Sequence, residues 1–283
     1  MVESQPSKLV AWVRFPSPAP NDLVFRRGHF FVSFCGFLHK ILVYAPIHYI
    51  IGKKFGDFKM LNDLFSLLSL DKTIAKELFE KYDYPHQILP ELGDFIRLLG
   101  SQLPKDGFHY SGNCIWISKT ASVAPSACLS GPLIVDHGAE IRHCAFIRGS
   151  VIIGKNAVVG NSTELKNCVL FDNVQVPHYN YVGDSVLGYK AHLGASAITS
   201  NVKSDKSTVF IGYGKEKFCS GLHKLGAIVG DLAEIGCDSV LNPGTVIGSN
   251  TTVYPLSSVR GFVRENSIYK NKCASETVAK KTE

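Results

Sequence analysis

The sequence has little methionine, little charge and, over most of its length, no excess of either sign. Only 2 of the 283 residues are methionine and 19% are charged, whereas 25 are glycine. This composition disfavours a helical bundle, and 45% hydrophobic residues exclude a disordered polymer. From residue 60 onward, 22 basic residues oppose 21 acidic ones. We therefore expect no nucleic-acid partner, because nucleic-acid binding requires a basic surface.

The eight cysteines lack the spacing of a metal site. None forms a C-x-x-C pair, and no Cys/His cluster has zinc-finger spacing, so no metal is expected. Cys128, Cys144 and Cys168 replace aliphatic residues in apolar runs. We therefore expect them to be small buried side chains in a reducing, cytoplasmic setting.

Residues 1–59 differ in composition from the rest, with 8 of the 17 phenylalanines and 5 of the 13 prolines. An apolar stretch at 29–51 contains Lys40 and Pro46, and a central lysine costs a membrane span about 2.5–3.5 kcal/mol. Residues 11–20, AWVRFPSPAP, resemble the mistakenly translated 3′ end of a transfer-RNA gene. We expect a spurious or disordered extension that precedes a true start at Met60. A membrane anchor and a genuine cytosolic extension are the alternatives.

Residues 60–109 are expected to form a short helical cap. Asp71 can cap a first helix, which Pro85 ends. A second helix is expected to open near Pro90 and to stop at Gly100. Two helices of this size cannot form a catalytic domain, so we expect them to cover the end of the domain that begins near residue 110.

From Ile117 onward an aliphatic residue recurs at every sixth position. Nine follow without a slip, and the period continues after single five-residue steps and after a break at 200–224. The positions are Ile117, Val123, Leu129, Val135, Ile141, Ile147, Ile153, Val159, Leu165, Leu170, Val176, Val182, Leu187, Leu193, Val229, Ile235, Leu241, Ile247 and Val253. A period of six fits a triangular solenoid with coils of about 18 residues. We expect an all-β parallel β-helix over 110–265, with a C-terminal tail at 266–283. The polar insertion at 200–224 is expected on a binding face.

This repeat resembles the left-handed β-helix of the hexapeptide-repeat acyltransferase family. Residues 147–201 resemble the acetyltransferase domain of the bifunctional glucosamine-1-phosphate acetyltransferase/N-acetylglucosamine-1-phosphate uridyltransferases. The matching segments are NSTELK at 161–166, HYNYVGDSVLG at 178–188, LGA at 193–195 and SN at 200–201. The resemblance implies a cytoplasmic, homotrimeric, acetyl-CoA-dependent N-acetyltransferase. Its substrate would be an amino-sugar phosphate or a nucleotide-linked amino sugar.

The resemblance also assigns roles to residues. His178 would be the general base, a role that imidazole suits because it titrates near neutral pH. Arg148 and Lys166 would bind the sugar phosphate, and their separation of 18 residues places them one coil apart on one side. Tyr181 and Asn201 would contact the substrate.

Two further positions belong to the expected site. The backbone at Ala195 would lie along the acetyl-CoA thioester. His192 stands where the family has a substrate-binding asparagine, and Ser196-Ala197 replaces the usual Gly-Thr. These departures concern the identity of the acceptor more than the type of reaction.

Two other functions are alternatives to this one. A non-catalytic solenoid could bind a sugar nucleotide or serve as an assembly platform. No Gly-rich nucleotidyltransferase signature is present, so no uridyltransferase activity is expected. A zinc-dependent carbonic anhydrase would need three histidines, and although His143 and His178 are suitably spaced, position 183 is glycine.

Overall fold

The computed structural model describes residues 23–26, 29–32, 61–213 and 216–270. Residues 1–59 form a compact unit of their own. Its described part is an antiparallel pair of strands, Leu23–Arg26 and His29–Val32. The rest of the expected extension, and the tail beyond residue 270, lie outside the described residues.

Two mainly parallel sheets form the three faces of a solenoid. One sheet contributes faces 1 and 3 and the other contributes face 2, and each coil runs from face 1 to face 2 to face 3. The strands of face 1 include Ile115–Ser118, Leu133–Val135, Val151–Ile153, Ala227–Val229, Thr245–Ile247 and Phe262–Val263. Those of face 2 are Ser122–Val123, Glu140–Ile141, Val158–Asn161, Gln175–His178, His192–Leu193, Glu234–Ile235, Thr252–Val253 and Ile268–Tyr269. Those of face 3 include Cys128–Leu129, Phe146–Ile147, Ile198–Thr199, Val240–Leu241 and Ser258–Val259. Two longer strands, Glu164–Leu170 and Tyr181–Leu187, continue from face 3 into face 1 of the next coil.

The strand pairing confirms the expected all-β, left-handed parallel β-helix with a helical cap. The last face 2 strand, Ile268–Tyr269, pairs with Thr252–Val253, so the solenoid continues past the expected limit at 265. A short strand, Phe108–Tyr110, pairs antiparallel with Ile115–Ser118 at the start.

The six-residue series forms the core of the solenoid. Ile153 pairs with Val135 on one side and with Leu170 on the other, and all three side chains are buried. One inward-facing position of the solenoid is missing from the aliphatic series, because a polar residue, Thr199, occupies it. Thr199 pairs with Val182 and Leu241 and is fully buried.

Face 1 is aliphatic on its outer side as well. Ile134, Ile152 and Val169 point away from the core series, yet each is fully buried. The helix Leu92–Gln102 packs against these strands. The cap therefore covers a side of the solenoid, and the expectation that it covers the end is wrong. Strands buried on both sides read as unbroken aliphatic runs, as the LIV at 133–135 does.

The cap itself is less regular than its sequence predicts. Its 3-10 segments are Leu61–Leu67, Leu70–Lys72 and Pro85–Ile88, and its α-helices are Lys76–Phe79 and Leu92–Gln102. Asp71 lies inside a 3-10 turn and pairs with Lys72 at 2.7 Å instead of capping a helix. The backbone N–H of Ser69 donates to Asp231 of the solenoid at 2.8 Å, so a tertiary contact replaces the local cap.

The insertion contains an antiparallel hairpin, Phe210–Tyr213 and Glu216–Cys219. Its first strand packs against Thr245–Ile247 and Phe262–Val263 of face 1. The ring of Phe218 lies 5.1 Å from that of Tyr84 in the cap. The cap and the hairpin therefore cover face 1 together.

Of the three cysteines expected to be buried, only Cys168 is. Cys128 and Cys144 are exposed, so that expectation is wrong for both. Cys128 precedes the core residue Leu129 and therefore faces outward, and Cys144 lies at a corner with a positive φ of 60°. Within the described residues, no helix has the length and apolar character that a membrane span needs.

Candidate active site

His178 lies at the corner between faces 2 and 3. It ends the strand Gln175–His178, pairs with Asn161 of the preceding coil, and its side chain is exposed. On the following coil, Ser196 donates its backbone N–H to the His178 carbonyl at 3.0 Å. The predicted base and the predicted thioester residue Ala195 are therefore neighbours on adjacent coils.

Asn180 fixes this corner, although the sequence did not single it out. Its side chain is buried, and its Oδ1 accepts the backbone N–H of His178 at 3.1 Å. Its Nδ2 donates to the carbonyls of Gly194 at 2.8 Å and Ala197 at 2.9 Å. One side chain thus connects the backbone of His178 to the segment that contains Ala195.

Arg148 and Lys166 lie on adjacent coils at the other edge of face 3, as their spacing predicts. Each is paired with an acid. Arg148 Nη1 lies 2.7 Å from Glu164 Oε1, and Lys166 Nζ lies 3.9 Å from Asp184 Oδ2. The hydrogen bond that Arg148 donates to Glu164 raises the pKa of Arg148. Both cations are thus paired with carboxylates that the sequence did not identify as partners.

Asp184 is the centre of this cluster. Its side chain is 6% exposed, and its Oδ1 accepts Nδ2 of Asn167 at 2.8 Å. Its Oδ2 accepts Nδ2 of Asn201, and the same Nδ2 donates to the Tyr181 hydroxyl oxygen at 3.2 Å. Burial raises the pKa of Tyr181. Two carboxylates, the buried Asp184 and the partly buried Glu164, are therefore surrounded by four predicted site residues. These are Arg148, Lys166, Tyr181 and Asn201.

His192 lies apart from this cluster, on face 2. Its Nδ1 lies 2.7 Å from Oε2 of Glu234 on the next coil. His143 and His178 are two coils apart, with Asn161 between them. Over the described part of the chain, no group of three or more His, Cys, Asp or Glu side chains is arranged to hold a metal ion.

Several known proteins are similar to this chain. The model of the GMPPB C-terminal domain matches residues 129–212. The bifunctional protein GlmU of Methanococcus maripaludis is 28% identical over 222 residues, which is 76% of this chain and 54% of the relative. A bifunctional sugar-1-phosphate nucleotidylyltransferase/acetyltransferase of Sulfurisphaera tokodaii is 28% identical over 254 residues, 76% of this chain and 60% of the relative.

The chain folds as a hexapeptide-repeat, left-handed β-helix, and it is similar to these bifunctional proteins over about three quarters of its length. It spans a little over half the length of the curated relatives that it matches. Solved hexapeptide-repeat structures include a variant of perosamine N-acetyltransferase from Caulobacter crescentus in complex with CoA and GDP-perosamine. That protein is 18% identical, with 54% of this chain and 51% of that chain covered and a TM-score of 0.26.

A variant of AntD, an N-acyltransferase from Bacillus cereus in complex with an amino-sugar nucleotide and coenzyme A, is 16% identical. The likeness covers 62% of this chain and 91% of that chain, with a TM-score of 0.31. Both TM-scores are low, so the hexapeptide-repeat fold of this chain is established by its own strand registers.

Proposed function

We propose that this protein is an acetyl-CoA-dependent N-acetyltransferase. Its acceptor is an amino-sugar phosphate that resembles glucosamine-1-phosphate, or a nucleotide-linked amino sugar. The observation that supports this most is the corner at His178, where Asn180 holds the backbone of His178 beside the segment that contains Ala195, and the imidazole is exposed. The acetyltransferase named among the relatives supports it as well.

The chemistry requires a base next to a thioester. The nitrogen of the acceptor amine attacks the carbonyl carbon of the thioester, and neutral His178 removes a proton from that nitrogen. The C–N bond forms, the C–S bond breaks, and His178 returns the proton to the leaving thiolate of coenzyme A. Ala195, Ser196 and Ala197 are small, which leaves room along the corner for the acyl donor. No metal takes part in this proposal.

The cluster on the far edge of face 3 suits the acceptor. The Arg148 side chain is 44% exposed, so its guanidinium can form a charge-assisted hydrogen bond with a phosphate. Lys166 is 28% exposed and is positioned by Asp184. Tyr181, Asn201 and His192 are proposed to contact the sugar.

We propose a cytoplasmic homotrimer with active sites between neighbouring subunits, and with neither nucleic acid nor membrane as a partner. Light scattering coupled to size exclusion tests the assembly. Full activity of a species with the mass of a monomer would contradict it.

A non-catalytic solenoid that binds a sugar nucleotide is the second candidate, and one observation favours it. His137 and His192 each lie within 2.7 Å of a carboxylate oxygen. The structure shows no such partner for the His178 side chain among the described residues, and a histidine base is usually oriented by one.

Release of thiol from acetyl-CoA separates the two candidates. The acceptors are glucosamine-1-phosphate, free glucosamine and a UDP-linked amino sugar, with N-acetylglucosamine-1-phosphate as the control that has no free amine. Thiol release that depends on the free amine supports the enzyme. Absence of release with all three amines, together with thermal stabilisation by a sugar nucleotide, supports the binder.

A further inference from the structure

A cavity of about 430 Å³ lies between the inserted hairpin and the last coils of the solenoid. It begins beyond Asn201 of the candidate active site, since Lys203 of its lining is two residues further along the chain. Arg260 at its rim lies on the same edge of face 3 as Lys166, but four strand pairings further along. At about 4.8 Å per pairing, the two positions are about 19 Å apart.

Two glycines allow the hairpin to form the wall of this cavity. Gly244 and Gly261 follow face 3 on successive coils, and both have a positive φ, 79° and 77°. A Cβ on Gly244 would lie 2.5 Å from the Phe210 carbonyl oxygen, and one on Gly261 would lie 2.9 Å from that of Gly212. Only glycine permits this close approach of two backbones, so the wall is built into the fold.

Basic side chains line the cavity, and its described lining residues include no acidic one. Lys203, Lys217 and Arg260 contribute to its lining. Lys203 Nζ lies 3.5 Å from Asp205 and donates to the Ser207 hydroxyl. Within the parts of the chain that the structure describes, neither Lys217 nor Arg260 forms an ion pair. Two full positive charges are therefore available at a preformed wall.

Aromatic side chains complete the lining. Phe210 is 48% exposed, and Phe262 is half-buried; both border the cavity. An exposed ring beside two cations suits a ligand that has both an aromatic base and adjacent phosphates, because rings stack on bases and guanidinium and ammonium groups bind phosphate oxygens.

We propose that this cavity binds the nucleoside diphosphate part of a small molecule. Arg260 and Lys217 hold the two phosphates, and the base stacks on Phe210. A nucleoside diphosphate occurs in coenzyme A and in sugar nucleotides, so either could be the source. Binding at this cavity requires neither acetyl transfer nor His178, and it can therefore fail or succeed independently of the proposed function.

Calorimetric titration of the full chain with ADP, and separately with inorganic pyrophosphate, tests the proposal. Both are expected to bind, and Lys217→Ala/Arg260→Ala should weaken both by about tenfold or more. Phe210→Ala should weaken the binding of ADP and leave the binding of pyrophosphate unchanged, since pyrophosphate has no base that could stack on the ring. The control Lys81→Ala/Lys119→Ala removes the same charge from exposed positions elsewhere and should change neither affinity.

Competition identifies the source. Coenzyme A and UDP-N-acetylglucosamine are each titrated against bound ADP, and the one that displaces it is the source. The proposal is overturned if the parent protein binds neither ADP nor pyrophosphate, or if Lys217→Ala/Arg260→Ala leaves the ADP affinity unchanged. An equal loss of affinity in the Lys81→Ala/Lys119→Ala control overturns the proposal too, because the attraction between the protein and the phosphates would then be non-specific. Melting curves confirm that each variant is folded.

Discussion

Asn180 accepts the backbone N–H of His178 and donates to the carbonyl of Gly194 on the next coil, at 3.1 and 2.8 Å. The proposed base and the proposed thioester segment are thus held together by one buried amide. A relationship of this kind makes Asn180 a positioning residue, whose loss should affect the reaction as well as the fold.

Asn180→Ala should therefore lower both stability and turnover. It removes the side-chain partner of the His178 N–H and of the buried Ala197 carbonyl, and a buried polar group left unpaired costs about 1–3 kcal/mol. Asn242→Ala is a matched control, because Asn242 is also buried and its Nδ2 donates to Ser258 and Val259. Urea unfolding should show similar losses for both variants, and kcat should fall only for Asn180→Ala. Equal kcat values in the two variants would show that Asn180 has only a structural role.

Arg148→Ala and Lys166→Ala should weaken binding of a phosphorylated acceptor. Loss of a charge-assisted hydrogen bond costs about 1.5–3 kcal/mol, or roughly tenfold to hundredfold in KM. Turnover should change little, because the phosphate takes no part in bond making or breaking and is bound about equally in the ground and transition states. Comparing KM for glucosamine-1-phosphate and glucosamine checks this. An equal rise in KM for both acceptors would contradict the proposal that Arg148 and Lys166 bind the phosphate.

His86 should make the fold sensitive to acid. It is 2% exposed, and its Nδ1 has no hydrogen-bond partner among the residues that the structure describes. Burial lowers the pKa of His86 to about 4, whereas an unfolded histidine has a pKa of about 6.5. Below pH 6.5 the unfolded chain therefore binds more protons, and stability is lost progressively as the pH falls towards 4. The loss is of the order of 3 kcal/mol.

Urea unfolding of the parent and of His86→Phe at pH 7 and pH 4.5 measures this effect. The other titrating groups are common to both proteins, so the difference isolates His86. We expect the parent to lose more stability than the variant between the two pH values. Parallel losses would contradict the account.

Thr199→Val should destabilise the solenoid although the side chain remains the same size. Thr199 Oγ1 accepts the Gly183 N–H and the Ser185 hydroxyl, both at 3.0 Å. Valine leaves the buried Gly183 N–H unpaired, at about 1–3 kcal/mol, whereas the Ser185 hydroxyl can still donate to the Gly183 carbonyl at 2.7 Å. Val182→Thr on the adjacent coil is the reciprocal variant and should be destabilising as well, since no donor faces that position among the bonds described for it. Thermal unfolding of both checks this, and a stable Thr199→Val protein would contradict it.

The six-residue period predicted most of the solenoid, since each inward position depends only on spacing along one chain. Thr199 could not be found this way, because its hydroxyl is satisfied by Gly183 and Ser185, and this pairing exists only after the coils stack. The contact between Ser69 and Asp231 could not be found this way either, because the two residues are 162 positions apart in the sequence.

In the candidate site, too, spacing along the chain predicted some contacts, and others could be seen only in the folded protein. The adjacency of Arg148 and Lys166 followed from their 18-residue spacing. Their carboxylate partners, Glu164 and Asp184, were present in the matched segments, but side-chain pairing depends on rotamers and on the relative positions of neighbouring coils. The role of Asn180 required three carbonyl and amide groups from two coils to be placed together.

The turnover of His178→Ala tests the central claim most directly. The substitution is at an exposed corner, so melting curves should match those of the parent, and acceptor binding should change little. Removal of a general base should lower kcat by roughly 10²–10⁴-fold. A kcat near that of the parent would contradict the assignment of His178 as the base and, with it, the proposed mechanism.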